Sequence, residues 1–491
     1  MKTLVFSVLA VTSLFLITAL QAQQTPNQDR LPAPIISTDY YQDGAPNPEK
    51  VELGKLLFFD KILSGNKNIA CATCHHPTLA TGDGVSLGFG EGAHGLGQDR
   101  QQGGSIEEVV HERVPRNAPA LFNLGAKEFT RMFHDGRVEV DSLGYYEGGF
   151  ITPAKWKLPK GLDNVLAAQA MFPVTSPTEM AGQKGENPIA DAISLNNAAG
   201  PQGAWALIAQ RLQELPEYVD HFEAAFPGDV QQPEDISMVH VANAIAAFEA
   251  VAFRADNSGF DQYVRNEREL SKEAKKGMDL FYGTAQCASC HSGKFQTDHK
   301  FYGIGMPQIG PGKSDGSDAT YWRETGQKAF VEDFGRGRVT VRDEDQFKFR
   351  TPSLRNVALT GPWGHSGAYS TLEDVVRHHL NPEKALESYQ VDPYALPSID
   401  KAAETFSDGP RLKHRIISQD RLEGFLVRDT WVLQNPSLKE KIAAANELTP
   451  VDLTDQEVNY VLAFLESLTD STSLDSNFQI PQHVPSGLPV D

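Results

Sequence analysis

The sequence predicts a mostly α-helical protein made of two similar units, with long loops and little strand. Apolar residues recur with helical periodicity over residues 204–226 and 237–253. A helix-like segment, a Cys-x-x-Cys-His motif, a long loop and a further helix follow one another twice along the chain. No stretch alternates apolar and polar residues for long enough to predict a large sheet.

The first 22 residues have the pattern of a secretory signal. Lys2 precedes an apolar run from Leu4 to Leu20, and Ala22 is a suitable last residue before cleavage. An uncleaved membrane anchor remains the alternative, because Leu20 is not the small residue usually found three positions before the cut. Either way we expect the functional part to lie outside the cytoplasm, and no other stretch is apolar for long enough to span a bilayer.

Charge and composition narrow the class of function. The 491 residues include 64 Asp+Glu against 44 Lys+Arg, for a net charge of -20 without a basic run. Binding to nucleic acid or to an anionic membrane is therefore not expected, whereas a basic partner would suit the chain. The 41 Gly and 30 Pro predict long irregular stretches.

The first half of the chain begins with a polar, Pro-rich leader at residues 23–50. A helix is predicted over Val51–Phe59, and the glycine-dominated stretch 82–104 should be a loop that wraps around something. A second Gly- and Pro-rich insertion covers about 144–161. We place the boundary of this first domain, residues 51–260, within about 254–266.

The second half repeats this plan in residues 261–470. A helix begins at Leu270, a loop-rich stretch at 293–347 follows the second motif, and the last clear helix is Asp455–Leu468. Residues 471–491 form a polar tail with three prolines, which we expect to be flexible.

The four cysteines occur in two motifs that have the same spacing. These are Cys71-Ala-Thr-Cys74-His75 and Cys287-Ala-Ser-Cys290-His291. Each is the C-x-x-C-H motif that attaches a c-type haem through two thioethers and supplies the adjacent His as an axial iron ligand. A zinc site or a redox dithiol is the alternative, but both pairs are followed by His and no cysteine is left over. The sequence thus predicts two covalent haems and a dihaem cytochrome c of the bacterial periplasm.

With these motifs in place, the chain resembles the bacterial dihaem cytochrome c peroxidase/MauG family from about Val51 to Leu468. The resemblance is carried by VELGKLLFFD at 51–60, the first haem motif, PRNAPALFN at 115–123, FHDGR at 133–137, FRTPSLRN at 349–356 and LTGPWGHSGAYSTLEDVV at 359–376. It implies two cytochrome c-like domains, in which the N-terminal haem reacts with peroxide and the C-terminal haem receives electrons. It also implies His75 and His291 as the proximal ligands.

The other face of the second haem is assigned to His379. The segment 370–373 has the S-x-x-E form of a capping box, which predicts a helix start. His379 then falls on the apolar stripe of that helix, whereas His378 points off it. The resemblance places His379 where peroxidases have Met and MauG-like members have Tyr, and so implies a sixth ligand; a hydrogen-bonded core His is the alternative.

The resemblance also assigns two catalytic residues beside the first haem. Peroxide cleavage needs one group to move a proton between the two oxygens and a polar neighbour to hold the peroxide. The matching residues here are Glu179 and Gln169. Two other interpretations remain open, because Ser176-Pro177-Thr178-Glu179 is also a capping box and Gln169 could be a structural amide.

Two departures from the family pattern concern the first haem. Where peroxidases have GHGW with a His that can ligate this haem, the chain has GEGAHGLG, in which Glu91 takes the ungapped position. His94 is the favoured ligand and His111 the other candidate, and an open haem is the third possibility. In addition, His134 stands where peroxidases have a Trp between the haems.

The family further implies calcium between the domains. The matching ligands are the side chain of Asn117 and the carbonyls of Thr360 and Pro362, and ligation by oxygen alone suits Ca²⁺. Asn117 could equally be a turn residue. His365 matches a family residue near the second haem.

The leading hypothesis is a periplasmic peroxidase that reduces hydrogen peroxide to water with electrons from a small cytochrome c or cupredoxin. The alternatives are a MauG-like enzyme that oxidises residues of a partner protein, and a dihaem electron carrier without peroxide chemistry. The pair Gln169 and Glu179 argues against the carrier. A homodimer is implied only by the family.

Overall fold

The computed structural model describes residues 31–103, 106–316, 319–325, 330–391, 396–409, 411–475 and 480–491. The predicted signal at residues 1–22 lies outside the described residues. The helices are α1 Pro48–Phe59, α2 Cys71–Cys74, α3 Val165–Ala170, α4 Pro188–Ser194, α5 Ala204–Gln213, α6 Pro216–Ala225, α7 Met238–Ala252, α8 Gly259–Val264, α9 Lys272–Phe281, α10 Ala319–Thr325, α11 Gly337–Thr340, α12 Leu372–Leu380, α13 Pro382–Ser388, α14 Gln419–Gln434, α15 Pro436–Ala444, α16 Asp455–Glu466 and α17 Thr472–Asp475.

The strands are short and form small antiparallel sheets. They are β1 Ala93–His94, β2 Gln101–Gln102, β3 Arg131–Met132, β4 Val138–Val140, β5 Phe150–Ile151, β6 Phe301–Tyr302, β7 Phe349–Arg350, β8 Ala403–Asp408 and β9 Arg411–Ile416. The pairs are β1 with β2, β6 with β7 and β8 with β9, and β3, β4 and β5 form one three-stranded sheet. The prediction of a mostly helical chain with little strand is confirmed.

Each Cys-x-x-Cys-His motif follows a helix that packs closely on a helix from later in the chain, α1 on α7 and α9 on α16. In α1 a Cβ on Gly54 would lie 1.9 Å from the carbonyl oxygen of Ala244 in α7. In α9 a Cβ on Gly277 would lie 1.8 Å from the carbonyl oxygen of Tyr460 in α16. Each glycine therefore lets two helix backbones approach more closely than any side chain would allow.

Local sequence signals account for the ends of several helices. Pro48 occupies the first turn of α1, and the Asn47 side chain accepts a hydrogen bond from Glu49 N at 2.9 Å. The segment predicted as one helical region, 204–226, is divided into α5 and α6, and Pro216 begins the second of them. A proline is tolerated in a first helical turn but not in the interior.

The largest buried clusters are separate in sequence. One draws its buried members from residues 35–255 together with Phe295 and Val484, and surrounds α1, α3 and α7. Another draws its buried members from residues 260–468 and surrounds α9 and α16. The division into domains at about residue 260 rests on this separation and remains a proposal.

The C-terminal residues 480–491 pack against the first half of the chain, so the expected flexible tail is wrong for them. Val484 is buried in the first cluster. Ser486 Oγ donates to Asp60 Oδ1 at 2.6 Å, and the Asp491 carboxylate pairs with Lys61 Nζ at 2.5 Å. A proline-rich segment without helical periodicity can still be ordered when it buries apolar residues and fills hydrogen bonds.

No helix in the described part of the chain is long and apolar enough to cross a membrane.

Candidate active site

A cavity in the first half of the chain brings together the first motif and both predicted catalytic residues. Its lining includes Cys71, Cys74, His75, Gln169 and Glu179. It contains about 1360 Å³ of atom-free space, part of which opens to solvent. Residues about 100 positions apart in sequence thus meet around one space.

The first motif is held in the geometry that haem attachment needs. His75 Nδ1 lies 3.0 Å from the carbonyl oxygen of Thr81, which leaves Nε2 as the ring atom that could bind iron. Both thiols are free, and burial raises the pKa of Cys71 and of Cys74 to about 12. A reactive redox dithiol has a lowered thiol pKa, so this environment is unlike that of a redox dithiol.

Glu179 lies in a π-helical turn, Pro177–Ala181, which forms one wall of the cavity. The Ser176 side chain makes no capping hydrogen bond to this turn, so the capping interpretation of Ser176–Glu179 is wrong. The glycine-dominated loop 82–104 packs directly on this turn, because a Cβ on Gly90 would lie 2.1 Å from Thr178 O and 2.9 Å from Glu179 Cα. Close backbone contact therefore fixes the position from which the Glu179 side chain extends.

Gln169 reaches the same cavity from the last turn of α3. The helix is capped by Asn164, whose side chain accepts from Ala167 N at 2.9 Å. Its other residues, from Val165 to Ala168, are buried in the core. Gln169 is thus carried on a short, firmly packed helix whose end faces the site.

The loop that contains GEGAHGLG holds its two candidate ligands, Glu91 and His94, in different surroundings. Glu91 is buried, and its Oε1 accepts from the side-chain amides of Asn66 and Asn68 at 2.7 Å each. The His94 side chain is 54% exposed, lies 3.9 Å from Glu108 and does not line the cavity. The structure therefore does not bring His94 to the first motif, and its ligation remains a prediction that requires the loop to move.

His111, the other candidate, is turned away from the first motif. Its Nε2 lies 3.6 Å from Glu186 Oε1, and its ring lies 5.2 Å from that of His414. It does not line the cavity. Neither His94 nor His111 lies in the cavity. In the described part of the chain, the first motif therefore shares the cavity with Gln169 and Glu179.

Four cationic side chains line the cavity opposite the motif, namely Arg116, Arg137, Lys313 and Arg350. Arg116 is already paired with Asp135 and Asp333 at 2.7 Å. Arg350 instead donates to the carbonyl oxygens of Phe133 and Thr351, and burial lowers its pKa to about 10. Buried cations are costly unless an anion approaches, and a haem carries two propionate groups that fit this need.

Cavity residues that the sequence analysis missed include two buried acids. Burial raises the pKa of Glu249, on α7, to about 8, and its Oε2 has no hydrogen-bond partner among the described residues. Burial likewise raises the pKa of Asp83 to about 7. Glu249 interrupts the apolar run of α7, which is the one signal that could have found it.

His134 lies between the cavity and the second half of the chain. Its Nε2 is 3.2 Å from Asn117 O, and its own carbonyl accepts from Arg350 N at 2.8 Å. Burial and the nearby Arg116 lower the pKa of His134 to about 3, so the imidazole is neutral. Next along β7, Phe349 stacks on His365 with ring centroids 3.8 Å apart. His134, at the position of the family Trp, is thus joined to β7 by a backbone hydrogen bond, one residue from the stacked pair.

The second motif meets His379 across a narrow gap. The ring centroids of His291 and His379 are 6.2 Å apart. His291 Nδ1 lies 3.1 Å from Gln296 O, and His379 Nδ1 lies 2.7 Å from Val375 O. An imidazole centroid stands about 3 Å from a metal bound through Nε2, so two ligands on opposite faces of one ion have centroids about 6 Å apart. His291 and His379 could therefore hold one haem iron between them.

The helix that carries His379 differs in two details from its prediction. Thr371 rather than Ser370 is the cap of α12, because its side chain accepts from Asp374 N at 3.1 Å. His378, predicted to lie off the apolar stripe, is fully buried, and its ring nitrogens bond Tyr369 Oη at 2.8 Å and Ile304 O at 2.7 Å. The helix packs on two sides, which an argument from one apolar stripe cannot capture.

The residues predicted to bind calcium are near one another through one backbone contact. Asn117 N donates to His365 O at 3.0 Å, which brings Asn117 to the loop that holds Thr360 and Pro362. The Asn117 side-chain amide donates to the carbonyls of Val85 and Ser86 at 2.8 and 3.3 Å. The Asn117 oxygen thus remains the atom that could face a cation, and the calcium site stays a proposal.

A mostly helical chain with two such His-bearing motifs, one of which lines a cavity together with Gln169 and Glu179, has the features of a haem oxidoreductase. A family model described as di-haem cytochrome c peroxidase matches residues 48–269. The methylamine utilization protein MauG of Paracoccus denitrificans is 30% identical over 413 residues, which cover 80% of this chain and 92% of that protein. The chain belongs to the di-haem cytochrome c peroxidase family and is an enzyme with haem cofactors.

Two further relatives agree with this assignment. Cytochrome c551 peroxidase of Pseudomonas aeruginosa is 29% identical over 326 residues, covering 66% of this chain and 70% of that protein. The crystal structure of a MauG-like protein associated with microbial copper homeostasis has a TM-score of 0.53 and 24% identity, and covers 94% of this chain and 99% of that one. The last likeness concerns the fold.

Proposed function

We propose that the protein is a periplasmic peroxidase that reduces hydrogen peroxide to water with electrons from a small cytochrome c or cupredoxin. The observation that carries this proposal is the shared cavity of His75, Gln169 and Glu179. Cys71, Cys74 and His75 would hold a haem here, which would supply the redox chemistry of peroxide reduction. The reaction consumes two electrons and two protons for each peroxide and yields two waters.

The protein side chains handle the protons. Glu179 accepts the proton of the peroxide oxygen nearer to the iron and returns it to the far oxygen, which leaves as water. Gln169, fixed at the end of α3, donates a hydrogen bond that holds the peroxide in line. The neutral His134 adds no positive charge beside this site. Electron transfer alone requires neither Gln169 nor Glu179. Their presence in the cavity therefore favours a peroxidase over an electron carrier.

Electrons would enter at the second haem, held by His291 and His379, and reach the first through the region of Phe349, His365 and His134. The stacked pair Phe349 and His365, 3.8 Å apart, and the bond from Arg350 N to His134 O support this route. The net charge of -20 suits a basic donor.

The alternative is a MauG-like enzyme that oxidises residues of a partner protein. It is favoured by His379, because the family's peroxidases have Met at this position, and by the 30% identity to the MauG of P. denitrificans. Both proposed functions use the same cavity. They differ in the source of electrons, which is a small redox protein for the peroxidase and residues of a partner protein for the MauG-like enzyme.

A steady-state assay tests the proposal. The haem-loaded protein is mixed anaerobically with a reduced small cytochrome c and hydrogen peroxide, and donor oxidation is followed optically. A peroxidase oxidises two donor molecules per peroxide in repeated turnovers, and E179Q abolishes most of the rate. Peroxide loss without donor oxidation would reject the proposal.

A further inference from the structure

A group of three metal-ligating side chains lies outside the peroxide cavity. It consists of His111, Glu186 and His414, whose ligand atoms all lie within 4.8 Å of one another in the described part of the chain. Nε2 of each histidine is 3.6 Å from the same oxygen, Glu186 Oε1. The three residues come from distant segments: the segment that follows the glycine-dominated loop 82–104, the loop after the Glu179 turn, and β9.

These separations fit ligands around an ion better than hydrogen bonds. At 3.6 Å a nitrogen and an oxygen are too far apart for a good hydrogen bond. Bonds of about 2.0–2.1 Å to a four-coordinate ion place neighbouring ligand atoms about 3.3 Å apart. A small closing movement of the three side chains would therefore bring all of them to bonding distance from one centre.

Hydrogen bonds to neighbouring residues orient two of the three side chains, Glu186 and His414. Glu186 Oε2 accepts from Gln183 N at 2.7 Å and from Asn66 Nδ2 at 2.8 Å, so that Oε1 is the oxygen turned towards both imidazoles. His414 Nδ1 lies 3.0 Å from Thr405 Oγ1, its partner across the β8–β9 hairpin. Contacts of this kind fix ring orientation and tautomer in metal sites.

The surroundings suit a cation that is partly sheltered from water. The side chains of His111, Glu186 and His414 are 15%, 15% and 14% exposed. Two imidazoles and one carboxylate are a ligand set for zinc and neighbouring late transition metals, with a fourth position left for water.

We propose that His111 Nε2, Glu186 Oε1 and His414 Nε2 bind one divalent transition-metal ion of the zinc class. This site is separate from both Cys-x-x-Cys-His motifs and does not depend on the proposed peroxidase activity. The ion would join the β8–β9 hairpin to the segment around His111 and to the loop that carries Glu186.

The site also connects to the wall of the peroxide cavity. Asn66 Nδ2 bonds both Glu186 Oε2 and Glu91 Oε1, and Glu91 N donates to Thr178 O at 3.1 Å. Thr178 precedes Glu179 in the π-helical turn. A metal ion at Glu186 would thus brace the loop that packs against Glu179.

The test uses untagged, haem-loaded protein that has been treated with a chelator and then titrated with Zn²⁺. Calorimetry and elemental analysis after dialysis should give one zinc per chain, and X-ray absorption at the zinc edge should show two imidazoles. H111A, H414A and E186Q should each weaken binding by at least about 100-fold. The control H483A changes an exposed histidine outside the group and should retain wild-type binding.

Unchanged haem absorption and circular dichroism show that each variant is folded. H414A could lose zinc because the hairpin misfolds. E186Q preserves the size of the Glu186 side chain and leaves the hairpin unchanged, so a loss of zinc in E186Q reflects the missing ligand. Failure of the wild-type protein to retain zinc after dialysis would overturn the proposal, as would equal retention by E186Q and H111A.

Discussion

The imidazole rings of His291 and His379 have centroids 6.2 Å apart, and a backbone carbonyl lies within hydrogen-bond distance of Nδ1 in each. Both rings are therefore oriented before any iron is bound, and the gap fits one metal ion. Ligation by two histidines gives a lower haem potential than His/Met ligation, because thioether sulfur favours ferrous iron.

Replacement of His379 by Met should raise the potential of the second haem by on the order of 0.1 V, and H379A should lose its low-spin spectrum. Spectroelectrochemical titration of the two haems measures this. H378Q is the matched control, because His378 bonds Tyr369 Oη and Ile304 O instead of facing His291. An unchanged potential and low-spin spectrum in both His379 variants would refute the ligation.

Replacement of Glu179 by Gln should lower peroxide turnover by about 10²- to 10⁴-fold, since the amide cannot carry a proton between the two oxygens. The change should appear in kcat with donor in excess, while both haem spectra stay normal. E217Q alters an exposed acid on α6 and should keep the full rate. Full activity of E179Q would leave the proton transfer without a carrier in the proposed site.

Glu249 should make stability depend on pH. Burial raises its pKa from 4.5 to about 8, so between these values the folded chain binds a proton that the unfolded chain releases. The free energy of unfolding therefore falls as pH rises through this interval, by on the order of 5 kcal/mol in total. Urea unfolding at pH 5, 7 and 9 should show a smaller fall for E249Q than for the wild type. Parallel curves for the two proteins would mean that Glu249 titrates normally.

The Arg116 ion pairs should be critical for stability. Arg116 is buried between Asp135 and Asp333, two residues from different halves of the chain. R116A leaves two buried carboxylates without their cation and should cost about 3–5 kcal/mol of unfolding free energy. The exposed pair Lys127 and Asp43 is the control, and K127A should cost less than about 1 kcal/mol. Equal losses in chemical denaturation would contradict this difference.

The sequence predicted those parts of the protein whose signals are local. Cys-x-x-Cys-His is a complete chemical unit within five residues, and the apolar periodicity of α7 is visible without any partner. The family resemblance supplied Gln169 and Glu179, and the structure places both in one cavity with His75. Periodicity alone would have left Glu179 as a helix cap.

Other features depend on contacts between distant segments. The burial of His378 comes from Ile304 and Tyr369, which no helical stripe reveals. The β8–β9 hairpin was missed, although Asp408-Gly409 is a turn signal, because its strands lie outside the matched family segments. The group of His111, Glu186 and His414 has no spacing motif at all, since each ligand comes from a different insertion or loop.

The most direct test of the central claim is a peroxide titration of the purified protein in two states, fully ferric and with only the higher-potential haem reduced, followed by optical and EPR spectra. The account predicts rapid reaction of the partly reduced form and steady oxidation of an added donor at two electrons per peroxide. Direct reaction of the ferric form to a long-lived oxidised state that does not draw electrons from the donor would contradict it, and would favour the oxidation of a partner protein instead.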